Sequence, residues 1–151
     1  MPRAFCELSV VSTAPVEAIA RAVLTVATPG EGFFEITGDV IGFLEKIKAR
    51  DGVVLLYLRH TSASLVIQEN ADPDVQTDLV TALKRIAPED AGWVHKVEGP
   101  DDMPAHIKAM LNGVSLHAPV AAGKMSLGTW RASMWLNIAH AATSARWCCS
   151  F

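Results

Sequence analysis

Two short segments rich in apolar and β-branched residues, Ala22 to Thr28 and Phe33 to Thr37, read as strands, with Pro29-Gly30-Glu31-Gly32 as the turn between them. After Gly38-Asp39 the apolar positions take a helical spacing. Val40, Ile41, Phe43, Leu44 and Ile47 share one side of a helix predicted to run through residue 50, where Asp51-Gly52 ends it. The apolar run that follows, over 53–59, reads as a buried strand. Asp72-Pro73 then pairs an N-cap residue with proline at the first helical position. Val75, Leu79, Val80, Leu83 and Ile86 supply that helix with its apolar stripe, and Pro88 closes it. A second start of this kind, Asp101-Asp102-Met103-Pro104, opens a shorter helix ending near Asn112-Gly113. Strands are expected at 114–117, about 125–138 and 145–151, with a short strand at 6–11 and either a helical turn or a leader peculiar to this chain at 15–22. Helices and strands mix without a regular βαβ alternation, which predicts a single α+β domain with a mixed or antiparallel sheet and flanking helices.

Composition narrows the class. Half of the 151 residues are hydrophobic and 19% are charged, as in a globular domain and not in a disordered chain. Apolar richness at this level also suits a surface partly covered by neighbouring subunits. No apolar run reaches the length of a membrane span. With a net charge of −3 and no basic run, nucleic acid is not an expected partner. Cys6 and the adjacent Cys148 and Cys149 have no metal or redox spacing, and neighbouring cysteines make a poor disulfide. Free thiols and the lack of a secretion-signal pattern at the start point to the cytoplasm.

The densest chemistry lies between residues 60 and 74. If the strand at 53–59 continues, His60, Ser62 and Ser64 share one face while Thr61, Ala63 and Leu65 take the other. An imidazole and two hydroxyls beside a buried strand describe a pocket wall. His95 and His106 also sit near loop or helix starts, and His106 falls in the first turn of the Pro104 helix. There the helix dipole disfavours the imidazolium, leaving a neutral ring able to ligate a divalent metal. His60, His95 and His106 together match the ligand number of an open zinc site, although their spacing is no local metal motif. Glu69 and Asn70 stand in the turn before the Asp72 helix, where a carboxylate can act as a base or a ligand; Asp72 itself has a sufficient task as the cap. Farther along, Gly128-Thr129-Trp130-Arg131, with Lys124 a few residues before, offers a close backbone approach, a hydroxyl and two cations, a set able to grip phosphate. His117 and His140 read as structural or exposed, and Trp130 and Trp135 as core or interface aromatics.

Several of these segments occur as ordered blocks: His60-Thr-Ser-Ala-Ser-Leu65, Glu69-Asn70-Ala-Asp72-Pro73, His95 with Glu98-Gly99, and Asp101-Asp102-Met-Pro104-Ala-His106-Ile-Lys108. Ser115-Leu116, Pro119-Val120, Gly123-Lys124 and Leu127-Gly-Thr-Trp130 continue the series. Together they resemble the YjbQ family, small proteins often described as secondary thiamine-phosphate synthases. The likeness runs more loosely back to Ala22, so residues 1–20 are expected to be an extension and 21–151 a YjbQ-like domain.

The resemblance implies a homotrimer with a polar pocket near a subunit boundary. It also implies a weak transferase activity that joins a pyrimidine diphosphate to a thiazole phosphate and releases pyrophosphate. A divalent metal, zinc or magnesium, would suit that leaving group, and the partner would be a small phosphorylated metabolite. Carried onto this chain, it makes His60, Glu69, Asp72 and His106 the catalytic candidates and places Ser62, Ser64, Asn70 and Thr129 on the substrate, joined by Lys124, Gly128 and Arg131 of the phosphate-gripping set read above. Asp102 and His95 complete the pocket. The chain departs from the family after Trp130: Arg131-Ala132-Ser133 replaces Gln-Gly, and Asn137-Ile138-Ala139-His140 stands where an acidic residue is usual. Two other readings therefore stay open: a non-catalytic trimer that binds a metal or a phosphorylated metabolite, and a metal-dependent hydrolase.

Overall fold

The computed structural model describes residues 13, 15, 18–129, 131–137 and 143–150. In chain order it contains β1 (Arg21–Thr28), β2 (Gly32–Glu35), α1 (Thr37–Lys46), β3 (Gly52–Leu58), β4 (Ala63–Glu69) and α2 (Pro73–Ile86). Then come α3 (Asp102–Asn112), β5 (Ser115–Ala121), β6 (Lys124–Met125), β7 (Arg131–Asn137) and β8 (Thr143–Ser150). The expected strand at 6–11, together with Trp130 and His140, lies outside the described residues. Residues 18–20 have no regular structure and β1 begins at Arg21, so the helical turn expected up to residue 22 does not form there.

The strands divide into two sheets in which every pairing is antiparallel. One has the order β1-β8-β3-β5-β6 and the other β2-β7-β4. The run at 53–59 therefore does not continue straight into the polar segment after it. The chain leaves the five-stranded sheet after Leu58 and enters the three-stranded sheet at Ala63, so residues 59–62 form a corner between them. The expected strand at 125–138 divides likewise. Its first part is the short β6, which turns back on β5, and the later part is β7 in the other sheet.

The main core lies between the sheets because strands of both turn their apolar faces inward. Val54, Leu56 and Leu58 of β3, Ala118 and Val120 of β5, and Ala63 and Leu65 of β4 are all buried. Ile36, Val40 and Leu44 bring α1 into the same cluster. Burying a residue such as Leu65 contributes on the order of 2 kcal/mol. On β2 the neighbouring phenylalanines separate as period-two geometry requires: Phe34 joins this core, while Phe33 packs with Ala105, Ala109 and Leu83 of α3 and α2. Among the described residues nothing covers the far side of the five-stranded sheet, where Val23, Val53 and Tyr57 are 60%, 52% and 48% exposed.

Helix ends fix the geometry further. The Asp72 carboxylate accepts the Asp74 backbone N–H at 2.9 Å, the expected N-cap. α1 stops at Lys46, short of residue 50. Lys48 N–H donates to Glu45 O and Ala49 N–H to Leu44 O, with Lys48 at φ 54, so a lysine occupies the left-handed closing position that glycine usually takes. α3 ends at Gly113, whose φ of 90 suits glycine and whose N–H returns to Ala109 O. Leu65 N–H donates to Gly113 O and Leu58 N–H to Val114 O, which joins the end of α3 to both strands flanking the corner.

Candidate functional site

Those two hydrogen bonds bring α3 against residues 59–62. A cavity of about 510 Å³ opens there, lined by Tyr57 to Thr61 from the corner, by His106, Ala109 and Met110 from α3, and by Val114. Its size falls in the range of small-ligand sites. His60 is oriented by its own loop: the Ser62 N–H donates to Nδ1 at 3.1 Å, and Ser62 Oγ lies 3.1 Å from the same nitrogen. With Nδ1 accepting, the neutral ring carries its proton on Nε2.

His106 joins the cavity to a second polar group. Asp102 and His106 are four residues apart on α3 and so share one face of the helix. Asp102 Oδ2 lies 3.3 Å from His106 Nε2 and 2.7 Å from Nε2 of His95, which the loop before α3 supplies. The two rings stand 5.8 Å apart, and one donor atom from each of the three residues falls within 4.8 Å of the others. Two imidazoles and a carboxylate make a donor set for an open divalent site. Nitrogen donors suit zinc better than magnesium, which prefers oxygen. Of the three histidines expected to share a metal, His95 and His106 are together and Asp102 completes the group. His60 lines the adjoining cavity. The i,i+4 spacing of Asp102 and His106 on a predicted helix was the sequence signal for this pairing.

Two residues past His106, Lys108 turns the other way and is buried. Its Nζ lies 2.9 Å from Glu31 Oε1, while Lys84 of α2 reaches Oε2 at 2.8 Å. Burial acts to raise the Glu31 pKa, but hydrogen bonds from Lys108 and Lys84 outweigh it and hold the carboxyl below its ordinary value. Sequence reading passed over this buried triad, because nothing local links Glu31 in a turn to a lysine on α3.

The remaining site candidates are spread from the corner to the far ends of both sheets. Ser62 and Ser64 are buried beside the corner, and Ser64 Oγ has no hydrogen-bond partner among the described residues. Glu69 is at the far end of β4, roughly 20 Å along the strand from Ala63. It pairs in register with Arg131, which folds along Gly128, with Thr129 exposed beside it. Asn70 donates to the Glu35 carboxylate and accepts from Gln76 at 3.1 Å, so its amide ties β4, β2 and α2 together. Asp72 is occupied as the cap. Lys124 is on β6, paired with Ala121, at the Gly52 end of the five-stranded sheet. The histidine cluster, beside the corner, and the Glu69–Arg131 group, at the far end of β4, are therefore separate.

Residues 22–146 match the family model described as UPF0047 protein YjbQ-like. The chain belongs to the YjbQ family. A YjbQ-family protein of Synechocystis is 42% identical over 110 residues, covering 72% of this chain and 75% of its own length. YjbQ of Salmonella typhimurium is 40% identical over 115 residues, 76% of this chain and 83% of the relative. Among solved structures, the crystal structure of an uncharacterized YjbQ-family protein from Clostridium acetobutylicum superposes with a TM-score of 0.78 at 31% identity. It covers 83% of this chain and 95% of that one. A conserved hypothetical protein of Thermus thermophilus gives 0.75 at 33%, with 84% and 97% covered. The α+β YjbQ fold expected from the sequence is thus the fold found, and among the described residues no helix is long and apolar enough to cross a membrane.

Proposed function

We propose that this YjbQ protein binds a divalent metal at His95, Asp102 and His106 and uses the adjoining cavity as a weak thiamine-phosphate-forming transferase. The observation that carries the reading is the shared residue: His106 belongs both to the three-donor cluster and to the cavity that His60 lines. In the reaction the pyrimidine methylene carbon loses its C–O bond to diphosphate, the electron pair leaves with pyrophosphate, and the thiazole nitrogen forms the new C–N bond. A bound metal would supply charge neutralisation for the leaving group. The chain's own part is to hold the reactants together and to donate hydrogen bonds. His60 offers its Nε2–H, and Tyr57, Met110 and Val114 supply apolar surface for the rings.

The active form is a homotrimer in this reading. Its support is the exposure, among the described residues, of Val23, Val53 and Tyr57 on one face of the five-stranded sheet, the last of which also lines the cavity. One observation favours binding without turnover. Glu69 stands at the far end of β4 and Asn70 is engaged by Glu35 and Gln76, and among the described residues no carboxylate lines the cavity. The test measures thiamine phosphate formed from the two precursors, together with metal content after purification, for wild type, His60→Ala and His106→Ala. Turnover lost in both variants, with metal lost only in His106→Ala, is expected. A metal-binding wild type without turnover selects the non-catalytic reading, and no metal at all rejects the site.

A further inference from the structure

A second cavity, of about 520 Å³, runs along α1 against the β5–β6 hairpin, near the Gly52 end of the five-stranded sheet and apart from the histidines. From Thr37 to Lys48 it follows α1 and its closing turn for roughly 16 Å. Ile41, Leu44, Met125 and Leu127 give it an apolar floor. Lys48 and Lys124 stand at the hairpin end, and neither has a carboxylate partner among the described residues. Glu45 is the single acidic residue of the lining, so two ammonium groups face one carboxylate.

The backbone marks the same place. Among the described residues, Lys48 (φ 54) and Ala122 (φ 49) are the non-glycine residues with positive φ, and both line this cavity. Ala122 and Gly123 form the hairpin tip, held against the loop after α1 by Ala122 N–H to Asp51 Oδ1 and Gly123 N–H to Arg50 O. Glycine or asparagine would adopt both conformations more easily. Side chains kept in strained backbone positions gather at ligand clamps, and here one of them is a cation over an apolar groove.

We infer that this groove is a second ligand site, specific for a small amphipathic anion: an apolar body lying on Ile41, Met125 and Leu127, with a phosphate or carboxylate head between Lys48 and Lys124. It gives Lys124 a role apart from the histidine cavity.

Octyl phosphate, below its micelle concentration, is the probe, with inorganic phosphate and octanol as controls. Binding is followed by calorimetry and by methyl NMR of the full chain. Octyl phosphate is expected to shift the methyl signals of Ile41, Met125 and Leu127, and each control to bind at least about tenfold more weakly. Lys48→Gly is the decisive variant because it removes the ammonium and also relieves the positive φ. Its melting temperature should equal or exceed that of wild type while octyl phosphate affinity falls at least about tenfold. Lys124→Gln should weaken binding similarly, and His106→Ala should leave it unchanged. Equal affinity in wild type and Lys48→Gly, octanol binding as well as octyl phosphate, or shifts confined to the histidine cavity would each overturn the assignment. Carboxylate-headed octanoate, run in parallel, separates the two head-group sources.

Discussion

Replacing Glu31 with glutamine tests how α3 is held. In the wild type, the Lys108 side chain is 5% exposed and its Nζ sits 2.9 Å from the carboxylate of Glu31, whose side chain is 7% exposed. The variant leaves that ammonium buried without a counter-charge, and removing one partner of a buried pair costs about 3–5 kcal/mol. For a domain of this size, about 2–4 °C of melting temperature accompanies each kcal/mol, so a fall of roughly 6–20 °C is expected. Lys108→Met removes the charge instead of stranding it. Glu31 keeps Lys84, whose side chain is 51% exposed, and a solvent-screened pair of that kind contributes only about 0–1 kcal/mol. Lys108→Met should therefore be clearly less damaging than Glu31→Gln, and the double variant should recover part of the loss. Thermal and urea denaturation at one fixed protein concentration measure all of these. A Glu31→Gln protein within about 1 kcal/mol of wild type, or no worse than Lys108→Met, would refute the view that burial makes this pair matter.

Three further outcomes follow from the same geometry. Because the folded Glu31 pKa lies below its ordinary value of 4.5, its contribution is fully present at neutral pH. That contribution should fade as pH falls below 4.5 through the folded value, and in Lys108→Met the acid limb of the stability curve should flatten. Asp72→Ala removes the carboxylate that accepts Asp74 N–H and should destabilise by about 1 kcal/mol in urea titration, with Asp72→Asn close to neutral. Ser64→Ala deletes a buried hydroxyl without a described partner and should leave stability equal or up to about 1 kcal/mol higher. If that hydroxyl instead serves a ligand, thiamine phosphate formation will fall while melting is unchanged.

What could be read from the sequence was what is encoded locally. Asp72-Pro73 announces α2 because capping needs only neighbouring residues, and Gly113 closes α3 for the same reason. The early end of α1 was hidden because a lysine occupies the closing position, and lysine in sequence looks like one more helix former. The corner at 59–62 was hidden because alternation looks the same whether a strand continues or changes sheets. The blocks at His60 and His106 each contain a residue that lines the cavity, but the grouping of Asp102 with His95 depends on where a loop returns in space. Asn70 and Glu69 carry polar groups that sequence cannot sort between pocket and framework, and Asn70 proves to be tied into the framework.

The place of β8 bears on how the protein is made. The last described strand is interior to its sheet, between β1 and β3, with Arg21 opposite Ser150. During synthesis β1 and β3 emerge well before β8, each with a backbone edge that β8 later fills. Such long-range closure is slow, and the open edges invite pairing with other chains in the meantime. A nascent chain stalled before residue 143 would hold α3 and the histidine cluster on a half-built frame. Truncation at that point should therefore yield an aggregating product, and not a smaller domain that keeps the cavity.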